Sequence, residues 1–190
     1  MNTRNVWVIA MAGLISYNCS TGPEQRLIAV GGIHLVERQT PCKLARVEPE
    51  GAVKDLEWGD ALALEAKSEG VAEITCGSEK IVLKIIAPAR LEIKLVRDGK
   101  PTGITVNERF KAQALLYDRE GRELEVGKST NFDWATSGVL EVADDRSSGE
   151  FGFSDTAFGM RGFRAVKPGK GSIIARLSDL QGELMIEANP

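Results

Sequence analysis

Histidine is almost missing from this sequence. The single one, His34, lies in "GGIHLVE" (31–37). A lone imidazole cannot build a zinc site without other ligands, and a nucleophilic triad needs a placed nucleophile and acid beside it. His34 therefore reads as a surface or edge-strand residue. Basic charge is not in excess either, since 24 Lys and Arg face 27 Asp and Glu for a net charge of −3. That predicts no attraction to nucleic acid. No apolar run approaches the roughly 20 residues a spanning helix requires. Seven prolines rule out a Pro-rich linker, whereas 20 glycines set between short apolar runs predict many turns. Phosphate-loop spacing is missing as well. "KPGKGS" (167–172) has Gly171 where Ser or Thr must follow the lysine, and "SIIARL" after it reads as a strand. These gaps leave no catalytic motif, and no cofactor is expected.

Cysteine is scarce too, and each of the three carries weight. Cys19 follows "VWVIAMAGLI" (6–15), an uncharged apolar run behind Arg4. A basic start, a short apolar core and a polar stretch describe a secretory signal peptide over 1–18. The alternative is a buried N-terminal element of the fold. No A-x-A cleavage site is present. A cysteine directly after the apolar run, with "STGPEQ" behind it, resembles a bacterial lipoprotein signal, in which Cys19 takes the lipid and 19–29 forms a tether. Ser16 and Asn18 stand where that signal usually has Leu and then Gly or Ala. Ordinary secretion and an uncleaved anchor are the other outcomes. Export favours disulfides, and an odd cysteine needs an explanation. If a lipid takes Cys19, then Cys42 and Cys76 remain as one pair.

Beyond Gln25 the pattern has period two and almost no helical period. "ALALEA" (61–66), "VAEITC" (71–76), "KIVLKIIA" (80–87), "LEIKLV" (91–96) and "AQALLYD" (112–118) are short and apolar or alternating. Phe110, Ala112, Ala114 and Leu116 fall on one face, with Arg109, Lys111 and Gln113 on the other. This is the signature of a half-buried strand. Turn signals such as "SEG" (68–70), "GSEK" (77–80), "REGRE" (119–123) and "LQGE" (180–183) recur between runs, as in sandwiches. "IIAPARLEI" (85–93) reads as a junction at Pro88. The expected fold is all-β, with two tandem immunoglobulin-like sandwiches after the signal peptide: a small domain over 30–88 and a larger one over 89–190.

Four segments of the second half carry a family resemblance. "RLEIKL" is similar to an opening strand, and "RFKAQALLYDREGRE" to a second strand with a D-x-x-G turn. "FDWATSGVLEV" (132–142) resembles a tryptophan segment. "GFRAVKPGKGSIIARL" (162–177) looks like a strand, a Pro/Gly turn and an x-I-x-A strand. Together they resemble the bacterial immunoglobulin-like domains, group-2 type, as in intimin-like and other surface proteins. The first half echoes this more weakly. "LEW" (56–58) takes the tryptophan position and "SEGVAEITC" (68–76) the later Gly-x-Ala-x-Ile segment. The resemblance then implies Cys42 on a second strand, Cys76 on a strand facing it across the core, an inter-sheet disulfide between them, and Trp58 packed nearby. The short spacing from Trp58 to Cys76 implies missing middle strands.

One departure from the family is an insertion between Val142 and Gly162, "ADDRSSGEFGFSDTAFGMR". Asp144, Asp145, Glu150 and Asp155 lack the D-x-D-x-D-G spacing of a calcium loop and read as solvated. The same insertion carries Phe151, Phe153, Phe158, Met160 and Arg161, and four of the six phenylalanines lie within 151–163. Loops on a rigid sandwich often bind, and such side chains suit an interface centre. The competing reading is that these rings fill the core. The expected function is a non-catalytic cell-envelope lipoprotein. It is held to the membrane by a lipid anchor, in the outer membrane, and binds or scaffolds a protein or glycan. The alternative is an accessory subunit of an envelope secretion, motility or transport complex.

Overall fold

The computed structural model describes residues 23–36, 40–58, 61–96, 103–128, 130–143 and 159–190. Residues 1–22, which hold the expected signal peptide and Cys19, and residues 144–158 of the insertion lie outside these residues. All regular elements among them are strands. The first seven are β1 (Glu24–Ala29), β2 (Ile33–Val36), β3 (Cys42–Glu48), β4 (Val53–Trp58), β5 (Ala61–Ala66), β6 (Gly70–Cys76) and β7 (Glu79–Ile86). They form a sheet ordered β1-β7-β6-β3 facing a sheet ordered β2-β5-β4. Ile28, Leu64, Ile74, Ile81 and Leu83 fill the space between the two, each 1% exposed or less.

The second sandwich follows after Ala87–Ala89. It contains β8 (Arg90–Val96), β9 (Ile104–Thr105), β10 (Arg109–Tyr117), β11 (Glu123–Leu124), β12 (Asp133–Ser137), β13 (Leu140–Val142), β14 (Met160–Ala165), β15 (Gly169–Leu177) and β16 (Leu180–Asn189). One sheet runs β8, β10, β14, β13, with β11 also pairing β10; the other runs β12-β15-β16-β9. The alternating face of β10 is buried as the sequence implies, with Ala112, Ala114 and Leu116 fully enclosed. Phe163 is the largest fully buried side chain, with Phe110 and Trp134 rings at 6.0 and 5.5 Å.

The two sandwiches repeat one topology. β3-β6-β7-β1 matches β12-β15-β16-β9, and β2-β5-β4 matches β10-β14-β13. In both, an edge strand runs parallel to the last strand of the sandwich, β1 to β7 and β9 to β16. This match corrects the internal alignment of the first half. β6 does correspond to β15. Trp58, however, is on β4, the counterpart of β13, whereas Trp134 is on β12, the counterpart of β3. Among the described residues β5 stands between β4 and β6 as β14 stands between β13 and β15, so the repeat calls for no further strand there.

Residues 24–29 are not tether: Glu24–Ala29 is β1, paired with β7 over six positions from Glu24↔Ile81 to Ala29↔Ile86. The first sandwich thus begins before residue 30. Its signal was "LIAV" (27–30), a continuous apolar run of the kind that marks strands buried on both faces. Cys42 and Cys76 are disulfide-bonded with Cα atoms 4.1 Å apart, but within one sheet. β3 and β6 are neighbours and Cys42↔Cys76 is a directly opposed pair. The bridge is not inter-sheet because the preceding β1 and β2 shift Cys42 from the second strand to the third. Closing a 34-residue separation stabilises by roughly 3–4 kcal/mol in the chain-entropy picture.

Candidate functional site

The most built polar feature among the described residues lies where the sandwiches meet, and it uses the one histidine. "GGIH" turns the chain from β1 into β2. Gly32, at φ +85°, lets the segment after β11 come close, since a Cβ there would sit 2.3 Å from Thr130 Oγ1. Gly127 is its counterpart, because a Cβ would lie 2.9 Å from both His34 Nε2 and the Ile33 nitrogen. With both side chains absent, Ile33 and Lys128 exchange backbone hydrogen bonds of 2.6 and 2.7 Å. Thr130 Oγ1 donates to the Gly127 carbonyl at 2.9 Å.

Beside this crossing, Glu125 pairs with β1. Its N–H donates to the Leu27 carbonyl at 2.8 Å and its carbonyl accepts from Ala29 N–H at 3.0 Å. Its carboxylate takes two bonds from Arg26, one of them Nε to Oε2 at 3.0 Å. His34 is on an edge strand, as read from sequence, but it is not on the surface: it is 1% exposed. Its Nε2 donates to the Ala29 carbonyl at 3.1 Å, which fixes the proton there because a carbonyl only accepts. Nδ1 faces Glu125 Oε1 at 3.9 Å, too long for a hydrogen bond, and is buried with no hydrogen-bond partner among the described residues. Burial alone would raise the Glu125 pKa. The His34 ring and the Arg26 guanidinium outweigh it and hold the carboxyl down at about 2.

A second constrained carboxylate, Asp118, sits in the D-x-x-G turn. It accepts Arg122 N–H at 2.8 Å and Arg122 Nε at 2.7 Å. Burial opposes ionisation there, yet these bonds leave its pKa lowered. Both clusters are structural in geometry. Each carboxylate is saturated by an arginine, so neither holds a free base poised toward an open cleft. Among the described residues no group of three or more His, Cys, Asp or Glu side chains is placed to hold a metal.

The residues singled out in the insertion divide. Phe151, Phe153 and Phe158 lie outside the described residues. Met160 and Arg161 open β14, where Gln113↔Met160 and Ala112↔Arg161 are paired. Both are half-buried. Arg161 shares the side of β14 that carries Phe163, and its Nε is buried with no hydrogen-bond partner among the described residues. The insertion leaves and re-enters one hairpin: Val142 pairs Phe163, and Ala143 N–H donates to the Gly162 carbonyl at 3.0 Å. Sequence reading missed Arg26, Glu125 and Thr130. Two glycine-marked segments, "GGIH" and "EVGKST", carried the only signal.

No family model matches the chain, and no curated protein matches it. Among solved structures it is similar to domains 4–9 of the surface layer protein SbsC, at 13% identity and TM-score 0.35, covering 87% of this chain and 30% of that one. It is similar to a beta-glucuronidase from glycoside hydrolase family 2, at 14% identity and TM-score 0.44, covering 89% and 20%. It is also similar to invasin, a bacterial integrin-binding protein, at 13% identity and TM-score 0.39, covering 87% and 34%. The chain spans a third or less of the length of the first two and about a third of the last. A surface layer protein, an enzyme and an integrin-binding protein share this likeness, so it assigns none of their roles.

Proposed function

We propose that this is an exported, non-catalytic envelope protein whose second sandwich presents the β13–β14 insertion to a protein or glycan partner. The N-terminus is held to the membrane through a lipid on Cys19. The observation that carries the reading is the direct pairing of the two strands that flank residues 144–158. β13 and β14 pair directly from Leu140↔Ala165 to Val142↔Phe163, so the frame is complete without residues 144–158. Hairpin loops ordinarily need 2–5 residues. This one adds Phe151, Phe153 and Phe158 among glycines. Apolar rings beyond what a frame needs suit a contact surface.

The test is to replace 147–158 with a short Gly/Ser turn. Gly159 stays, because its φ is +71° and a Cβ there would sit 3.0 Å from the Ala114 carbonyl and 3.1 Å from the Phe132 ring. The trimmed protein is expected to keep its melting temperature and to lose the partner recovered by pull-down from native membranes. A large drop in melting temperature would assign the rings to the core instead. The lipid is tested separately: Cys19→Ala is expected to abolish acyl labelling, and a mature N-terminus elsewhere without acyl mass would refute the anchor.

A further inference from the structure

We infer that β1 is a mechanical clamp, built so that a pull on the N-terminal end of the chain is resisted in shear and shared with the second sandwich. β1 and β7 are parallel, and six successive pairs join them. The chain enters β1 at Glu24, opposite Ile81, and leaves β7 at Ile86, opposite Ala29. Tension between the N-terminus and the second sandwich therefore acts along the strands from opposite ends of the ladder. All six pairs are loaded together, and none can fail alone. Pulled from one end only, the same ladder would open pair by pair.

The other edge of β1 is held as well. Glu125 of the second sandwich bonds Leu27 and Ala29 through its backbone and Arg26 through its carboxylate, and Ile28↔Glu125 is a parallel bridge. The side chains divide likewise. Ile28 is in the first core, and Leu27 and Ala29 pack into the second. Extracting β1 thus opens two cores and two hydrogen-bonded edges at once. Beyond β1 the disulfide stops extension, since Cys42–Cys76 locks the chain between them. The shear geometry holds with or without a tether. Its use in the cell rests on the N-terminal anchor proposed above.

Single-molecule force spectroscopy on the full chain tests this. One handle is fixed at the N-terminus. The second is attached either at the C-terminus, which shears β1 from β7, or through an azide-bearing residue at position 78 in the β6–β7 turn. Position 78 adjoins the Glu24↔Ile81 end of the ladder and so unzips it. The first-sandwich event is identified by adding reductant, which lengthens that step alone by on the order of 100 Å as 34 residues are freed. The shear rupture force is expected to be severalfold above the unzipping force. Arg26→Gln and Glu125→Gln are expected to lower the shear force with the far-ultraviolet dichroism unchanged. Equal forces in the two geometries would overturn the clamp. A shear force unchanged in both variants would overturn the contribution of the second sandwich. Neither outcome depends on lipidation, which is read from acyl mass.

Discussion

Glu125 shows how much one side chain decides. Its carboxylate neutralises Arg26 and faces His34, while its backbone completes the outer edge of β1. Its pKa falls from 4.5 to about 2 on folding. A carboxyl with a depressed folded pKa contributes stability that is present above the unfolded value and lost as pH falls through the folded one. The junction is therefore expected to weaken between about pH 4.5 and 2. The carboxylate is 37% exposed, and solvent screening reduces the contribution to about 1 kcal/mol. Acid titration of the wild type against Glu125→Gln checks this. The variant is expected to show a flatter loss of melting temperature across that window, and parallel curves would place the acid sensitivity elsewhere.

At the scale of elements, β3 is the exposed risk of the first sandwich. Among the described residues it is an edge strand bonded only to β6, and its register breaks between Leu44 and Arg46. A bulge and the charges Lys43, Arg46 and Glu48 blunt the edge against pairing with another chain. They also leave it few apolar anchors, for Leu44 and Val47 are only partly buried. The Cys42–Cys76 bridge at the start of the strand supplies what packing does not. Reduction is expected to raise hydrogen exchange first on β3, while β6 and β7, inside the sheet, stay protected. Uniform exchange across the three strands would show that the bridge stabilises the sandwich globally rather than pinning its edge. The same bridge, placed between sheets, would have tied the two layers and left β3 to fray.

For the whole molecule, the shared strand couples the two sandwiches. The connection Ala87–Ala89 is only three residues, but connection alone does not couple folding. Coupling comes from Ala29, Leu27 and Ile86, which the first sandwich contributes to the second core, and from the Ile33–Lys128 crossing. Calorimetry of the wild type is expected to give one transition whose calorimetric and van't Hoff enthalpies agree. Arg26→Gln with Glu125→Gln is expected to split it into two. Two transitions in the wild type would mean that the junction is too weak to couple the cores.

What the sequence determined by itself is what period two and turn chemistry report. The alternating face of β10, the turns at Gly121 and Gly77, the break at Pro88 and the all-β class all follow from local pattern, because alternation states which side chains share a face. Alternation does not state which strand lies alongside. Only the tertiary structure put Cys42 beside Cys76 in one sheet, set Trp58 on β4 and drew Glu24–Ala29 out of a supposed tether into a parallel pair with β7. Burial of His34 was likewise invisible, since it depends on Gly127, 93 positions away in the chain, lacking a Cβ. The physical reason is common to all of these. Strand partners and domain contacts are chosen by the burial of surfaces far apart in sequence, and a local pattern carries a face but not its neighbour.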